Sequence, residues 1–165
     1  MAISDRKSFI LVLSVALITD ILDGAIARIF NWRSELGARL DSTADLLTFI
    51  AAVVGIEVFE PKFIKENAFI LTTVVCLWLL PYVISLLRFR KIPYLHLYSV
   101  KITGYLIGIF FFSFFVFGGN QFYFYFTATI SSLAFIEESL VVVIIPEMKA
   151  DVKGIYWVMR ERNSN

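Results

Sequence analysis

The chemistry-bearing residues of this sequence are gathered in one stretch, DILDGAIARIFNWRSELGARLDSTAD, which runs from Asp20 to Asp45. Its four aspartates, Asp20, Asp23, Asp41 and Asp45, lie at the junction of two strongly apolar segments. A charged side chain inside a bilayer costs from ~2.5 to more than ~10 kcal/mol. Four carboxylates in such a place need a compensating partner, and a divalent cation suits them. At about 100° per residue, Asp20, Asp23, Gly24, Ala27 and Arg28 cover an arc of roughly 140° on one helix. Gly37, Asp41 and Asp45 fall within roughly 80° on the next. Helices joined by a short loop are antiparallel neighbours, so the two acidic faces can meet. Hard oxygen donors suit Mg²⁺ or Mn²⁺, ions that share their coordination with substrate phosphates. Arg28 offers a planar fork for phosphate oxygens, and Gly24 and Gly37 leave room close to the backbone. The set describes a phosphorylated substrate held by metal, with one carboxylate free to act as base.

The elements that must position this stretch are membrane helices. The chain has 165 residues, 59% of them hydrophobic and 16% aromatic. Its mean hydropathy is +0.78, and an ordinary soluble domain is only about 45–50% apolar. Seventeen phenylalanines, gathered in runs such as Ile109 to Phe117, make a soluble core a poor explanation. The sequence predicts an all-α, polytopic transmembrane bundle of about five spans, forming a single domain over residues 1–165. The spans are expected at about 9–29, 37–58, 68–87, 97–117 and 122–145. A short loop around Asn31 to Glu35 separates the first two, and a hydrophilic turn at Glu60 to Glu66 follows the second. Pro81 is expected to kink the third span. Gly118, Gly119 and Asn120 mark a turn, and Pro146 ends the last span. The tail has an apolar stripe of Val152, Ile155, Tyr156, Val158 and Met159 that suits a short surface helix. The first apolar run is not a signal peptide, because Asp20 and Asp23 follow it where a small-residue cleavage site would stand.

Basic residues orient the bundle. One side collects Arg28, Arg33, Arg39, Arg88, Arg90, Lys91, Lys101, Lys149, Lys153, Arg160 and Arg162; the other holds Arg6, Lys7, Lys62 and Lys65. Eleven against four satisfies the positive-inside rule with the aspartates facing the cytosol. The net charge of +1 gives no case for a nucleic-acid partner. Cys76, the single cysteine, has no intrachain disulfide partner and reads as a small buried hydrophobe.

The Asp20–Asp45 pattern resembles the signature of the CDP-alcohol phosphatidyltransferases, D-x2-D-G-x2-A-R-x8-G-x3-D-x3-D. Asp20, Asp23, Gly24, Ala27, Arg28, Gly37, Asp41 and Asp45 fill it without a mismatch. The resemblance implies transfer of a phosphatidyl or similar phosphoalcohol group from a CDP-linked lipid, of the CDP-diacylglycerol type, to a small alcohol, with release of CMP. It implies a metal site, usually of two ions (Mg²⁺ or Mn²⁺), on Asp20, Asp23, Asp41 and Asp45, with Asp45 as the general base. Asp20, Asp23, Gly24, Ala27, Arg28, Gly37 and Asp41 would form the CDP-binding pocket. A homodimer and a place in a bacterial cytoplasmic membrane, among membrane lipids, are further implications. Lys101, in SVKITG, resembles the family's lysine at the start of a later span. It could contact an acceptor or donor phosphate, as could Arg88 and Arg90; the alternative is that all three are positive-inside anchors.

The family pattern carries one more helix before the span bearing the first aspartate, and only eight residues precede that span here. The expectation is therefore five spans with the N-terminus outside, in a shortened member or in a sequence whose start lies inside a longer one. Two rival readings are a non-catalytic short member and a cation-handling membrane protein. A transporter would set its acidic residues at the midplane on broken helices, whereas these lie toward one edge beside Arg28 and two glycines. Glu137 and Glu138, inside the fifth span, are expected to pair with a basic residue of another span. His96 reads as a surface histidine, and Trp32 and Tyr98 suit the interfacial aromatic belt.

Overall fold

The computed structural model describes residues 6–29, 35–93, 95, 97–148 and 152–163. They form six helices: α1 (Arg6–Ile29), α2 (Glu35–Phe59), α3 (Pro61–Phe89), α4 (Tyr98–Phe117), α5 (Gln121–Ile144) and α6 (Ile155–Asn163). No strand occurs among the described residues. The protein is an all-α, polytopic membrane bundle. α3, α4 and α5 are long and apolar enough to cross a membrane. α1 and α2, of 24 and 25 residues, have the length for the ~30 Å hydrocarbon layer, and each is apolar in one half and carries the charged motif in the other.

The distribution of polarity is that of a membrane protein. Leu11, Val15, Leu47, Leu87, Ile109, Phe117 and Leu133 are exposed, while Asn67, Ser85, Thr103, Thr127, Ser131, Glu138 and Ser139 are buried. Hydrocarbon outside accepts large apolar side chains and rejects polar ones, so the polar residues turn inward. Cys76 corrects the sequence reading: it is exposed on α3. An apolar run does not distinguish a protein-facing from a lipid-facing position.

The helix boundaries have local causes. Pro61 starts α3 at the first helical position, where its missing N–H costs nothing, and the amide of Phe63 donates to the Glu60 carbonyl at 2.9 Å. The expected hydrophilic turn is thus confined to Glu60, with residues 61–66 already helical. Pro81 lies buried within α3. That helix closes on Arg90, whose φ of 54° is the left-handed cap conformation usually reserved for glycine. The expected turn after α4 is observed: Gly118 has φ 93°, and the Asn120 side chain caps α5 by accepting from the Tyr123 amide at 3.1 Å.

The chain packs as two compact units, one of residues 1–66 and 111–119, the other of residues 67–110 and 120–165. In the first, α1 lies against α2. Phe9 meets Phe59 at 5.4 Å and Phe115 at 5.0 Å, and Phe63 meets Phe114 at 4.8 Å. A Cβ at Gly55 would collide with the Phe9 ring, so glycine is what admits that ring. In the second unit, Leu95, Leu97, Val141, Val142, Ile145 and Val152 form a buried core, with Ile155 and Val158 of α6 packed on it.

Candidate functional site

The start of α1 is fastened to the end of α2. Arg6 and Glu60 form an ion pair at 3.0 Å, and the Phe9 ring lies against Gly55 and Phe59. Residues 30–34 join the opposite ends. The two helices are therefore antiparallel, and positions at the same level are those whose numbers add to about 66, each step along either helix being ~1.5 Å. Asp20 then lies within about one step of the level of Asp45. Asp23 lies about midway between the levels of Asp41 and Asp45, and Arg28 about one step from Gly37. All eight motif positions have helical backbone; their side chains lie outside what the structure describes. The fold thus brings the two halves of the motif to one end of one helix pair, at matched heights.

Aspartate carboxylates are hard oxygen donors of the kind that Mg²⁺ or Mn²⁺ takes, and the backbone puts four aspartates on two neighbouring helices. Among the described residues no group of three or more His, Cys, Asp or Glu could hold a metal.

The other candidates lie in the second unit. Arg88, in the last turn of α3, donates to the carbonyl of Val142 at 2.9 Å and also to that of Val143. These carbonyls belong to the last turn of α5, where no further helical amide remains to bond them. The guanidinium is also 4.9 Å from the centre of the Phe89 ring. Arg90 is exposed at the cap of α3. Lys101 is exposed in the first turn of α4, with its ammonium 6.0 Å from the Tyr98 ring centre. His96 and Trp32 lie outside the described residues.

Glu137 has a partner of another kind than the expected basic residue. Its Oε1 accepts from the backbone amide of Ile155, the first residue of α6, at 2.9 Å. A carboxylate at a helix N-terminus bonds an otherwise orphaned amide and meets the positive end of the helix dipole. The sequence signal for this bond was slight: a glycine, Gly154, immediately before an apolar stripe of helical period. A Cβ at Gly154 would lie 2.9 Å from the Glu137 oxygen, so glycine permits the approach. Glu138 is buried on α5. The hydroxyls of Thr127 and Ser131 on the same helix, and of Ser99 and Thr103 on α4, are buried without a hydrogen bond among the described residues. Phe110 meets Tyr123 and Phe124 at 5.9 and 5.8 Å, which puts Thr103 at about the level of Ser131.

A groove of about 530 Å³ between α3 and α5 is lined by Phe69, Ile70, Val74, Tyr125, Ala128 and Leu133, among others. The hydroxyls of Thr73, Thr129 and Ser132 beside it bond to carbonyls of their own helices. The groove is thus apolar, suited to hydrocarbon and not to a nucleotide.

A family model described as CDP-alcohol phosphatidyltransferase matches residues 2–144. That match includes α1 to α5 and the whole motif. No curated protein and no solved structure matches the chain.

Proposed function

We propose a particular reaction for this chain, which belongs to the CDP-alcohol phosphatidyltransferase family: transfer of a phosphatidyl group from CDP-diacylglycerol to a small alcohol. Members of this family are transferases of substituted phosphate groups, working on CDP-alcohols and generally dependent on divalent metal. One observation carries the proposal. The complete motif is divided between two antiparallel helices whose register puts Asp20 near the level of Asp45 and Asp23 between those of Asp41 and Asp45.

In the proposed mechanism Asp20, Asp23, Asp41 and Asp45 hold Mg²⁺ or Mn²⁺. The bound metal would neutralise the diphosphate and stabilise charge on the departing CMP. Gly24, Ala27 and Gly37 leave space for the CDP moiety, and Arg28 bonds its phosphate oxygens. Asp45 takes the proton of the acceptor hydroxyl as its oxygen attacks the phosphorus bearing the diacylglycerol. The bond from that phosphorus to the bridging oxygen breaks, and CMP leaves with the bond's electron pair. Glycerol 3-phosphate, inositol phosphate and serine are the acceptors to consider, with Lys101 and Arg90 as candidate phosphate contacts. Arg88 is a weaker candidate, because two backbone carbonyls already engage it. The positive-inside count supports a site on the cytosolic face, where CMP and a soluble acceptor would exchange with water. A homodimer in a bacterial cytoplasmic membrane completes the proposal.

The test is CMP release from CDP-diacylglycerol by the purified chain, with each acceptor in turn and with or without divalent metal. Metal-dependent release with one acceptor supports the reading. Binding of the CDP-lipid without release under any condition would leave a non-catalytic binding member. Release that persists under chelation would overturn the metal assignment.

A further inference from the structure

Where α5 ends, the second unit carries α6, whose outer face the phosphotransfer reading does not use. α6 turns Ile155 and Val158 onto the buried core, while Tyr156, Trp157 and Met159 are 64%, 42% and 53% exposed. Arg160, also exposed, lies on the same arc at about 100° per residue. The helix is held in that attitude at three points. Glu137 bonds its first amide at 2.9 Å, the Tyr98 amide donates to the Lys153 carbonyl at 3.3 Å, and the Trp157 ring stands 6.2 Å from that of Tyr98.

The charge around it is predominantly positive. Arg88, Arg90 and Lys91 end α3, Lys101 opens α4, and Lys153 and Arg160 flank and occupy α6. Against these six, the described acidic residues of this unit outside α5 are Glu147 and Glu161, the latter on α6 itself. A second copy meeting this face through the same face would bring like charges together, which disfavours that occupant. Tyr and Trp beside cationic side chains are the composition of a helix lying in the headgroup layer of a membrane. Each Lys or Arg near an anionic surface adds attraction.

We propose that the outer face of α6 (Tyr156, Trp157, Met159 and Arg160) docks on the bilayer surface and selects anionic lipid headgroups. Glu137 acts as the hook that fixes its angle. The inference concerns a surface remote in sequence from the motif and stands whether or not the chain transfers a phosphatidyl group.

The test uses the full chain with Trp32→Phe and Trp78→Phe, which leaves Trp157 as the reporter. It is reconstituted in nanodiscs of phosphatidylcholine alone and with phosphatidylglycerol added. Quenching by acrylamide, a neutral probe, should fall in the anionic discs, with the odds of the protected state rising about tenfold. Lys153→Glu with Arg160→Glu should abolish that dependence on lipid charge. Equal quenching in both discs would overturn the proposal. Protection that follows the protein-to-lipid ratio instead of lipid charge would also overturn it and assign the face to a second copy. If the charge-reversed variant does not fold, the lipid titration of the parent still decides.

Discussion

Arg88 and Glu137 in the second unit contrast with the aspartates of the first. Each of the former lies on a helix of spanning length and is bonded to the backbone of another helix. Arg88 binds the open carbonyls at the end of α5, and Glu137 binds the open amide at the start of α6. Helix termini carry partial charges of the needed sign, so one ionised side chain and one helix end compensate each other. Asp20, Asp23, Asp41 and Asp45 are placed differently, by backbone and sequence alone. They are like charges on two paired helices at matched levels, a set that concentrates negative potential. A charge matched by a helix end serves the fold; like charges at neighbouring levels are what the proposed metal would offset.

Substitutions can break this contrast. The largest effect is expected at Asp45, where Asn should lower CMP release by about 10²–10⁴-fold and leave CDP-lipid binding, measured by equilibrium dialysis, near that of the parent. Full activity in that variant would refute the base assignment. Asp20→Ala or Asp41→Ala should weaken metal and donor together, seen as a rise in the metal concentration needed for half-maximal rate. Next comes Arg88→Met, which leaves two α5 carbonyls without their charged donor. It should cost about 1–3 kcal/mol of stability, read as a lower Tm in detergent, with metal affinity unchanged. Glu137→Ala should free the N-terminus of α6, raising amide exchange at Ile155 while Tm falls by less than in the Arg88 variant. Glu137→Gln, which still offers an oxygen, should restore most of the protection. The smallest effect is expected from Arg6→Ala: the Arg6–Glu60 pair is partly exposed, so its loss should cost no more than about 1 kcal/mol. Unchanged metal dependence in that variant would show that the aromatic packing at Phe9 suffices to keep the register.

Much of this was legible because it is written in short-range patterns. Four of the five spans were expected within a few residues of α1, α2, α4 and α5, since apolar runs bounded by Glu60, Arg90 and Gly118 leave few other divisions; α3 starts seven residues before its expected place, because the polar residues 61–66 are helical. The motif was legible for a related reason: its spacing is helical, and a short loop forces antiparallel neighbours. The register was not legible, because it depends on Arg6 finding Glu60 and on Phe9 fitting over Gly55, contacts far apart in sequence. Nor was the partner of Glu137, since an amide at the start of another helix has no residue type to betray it. The burial of Cys76 was misread, because lipid and protein interior select the same apolar residues.

By itself, then, the sequence determined an all-helical membrane chain, most of its element boundaries and an eight-residue family signature. All three follow from local hydropathy and from fixed spacing along a helix. The tertiary structure alone decided which levels of α1 and α2 face each other, that Arg88 and Glu137 serve helix ends, and which side of α6 turns outward. Those are matters of distance between remote residues, where close packing selects one arrangement from many that the same local pattern allows.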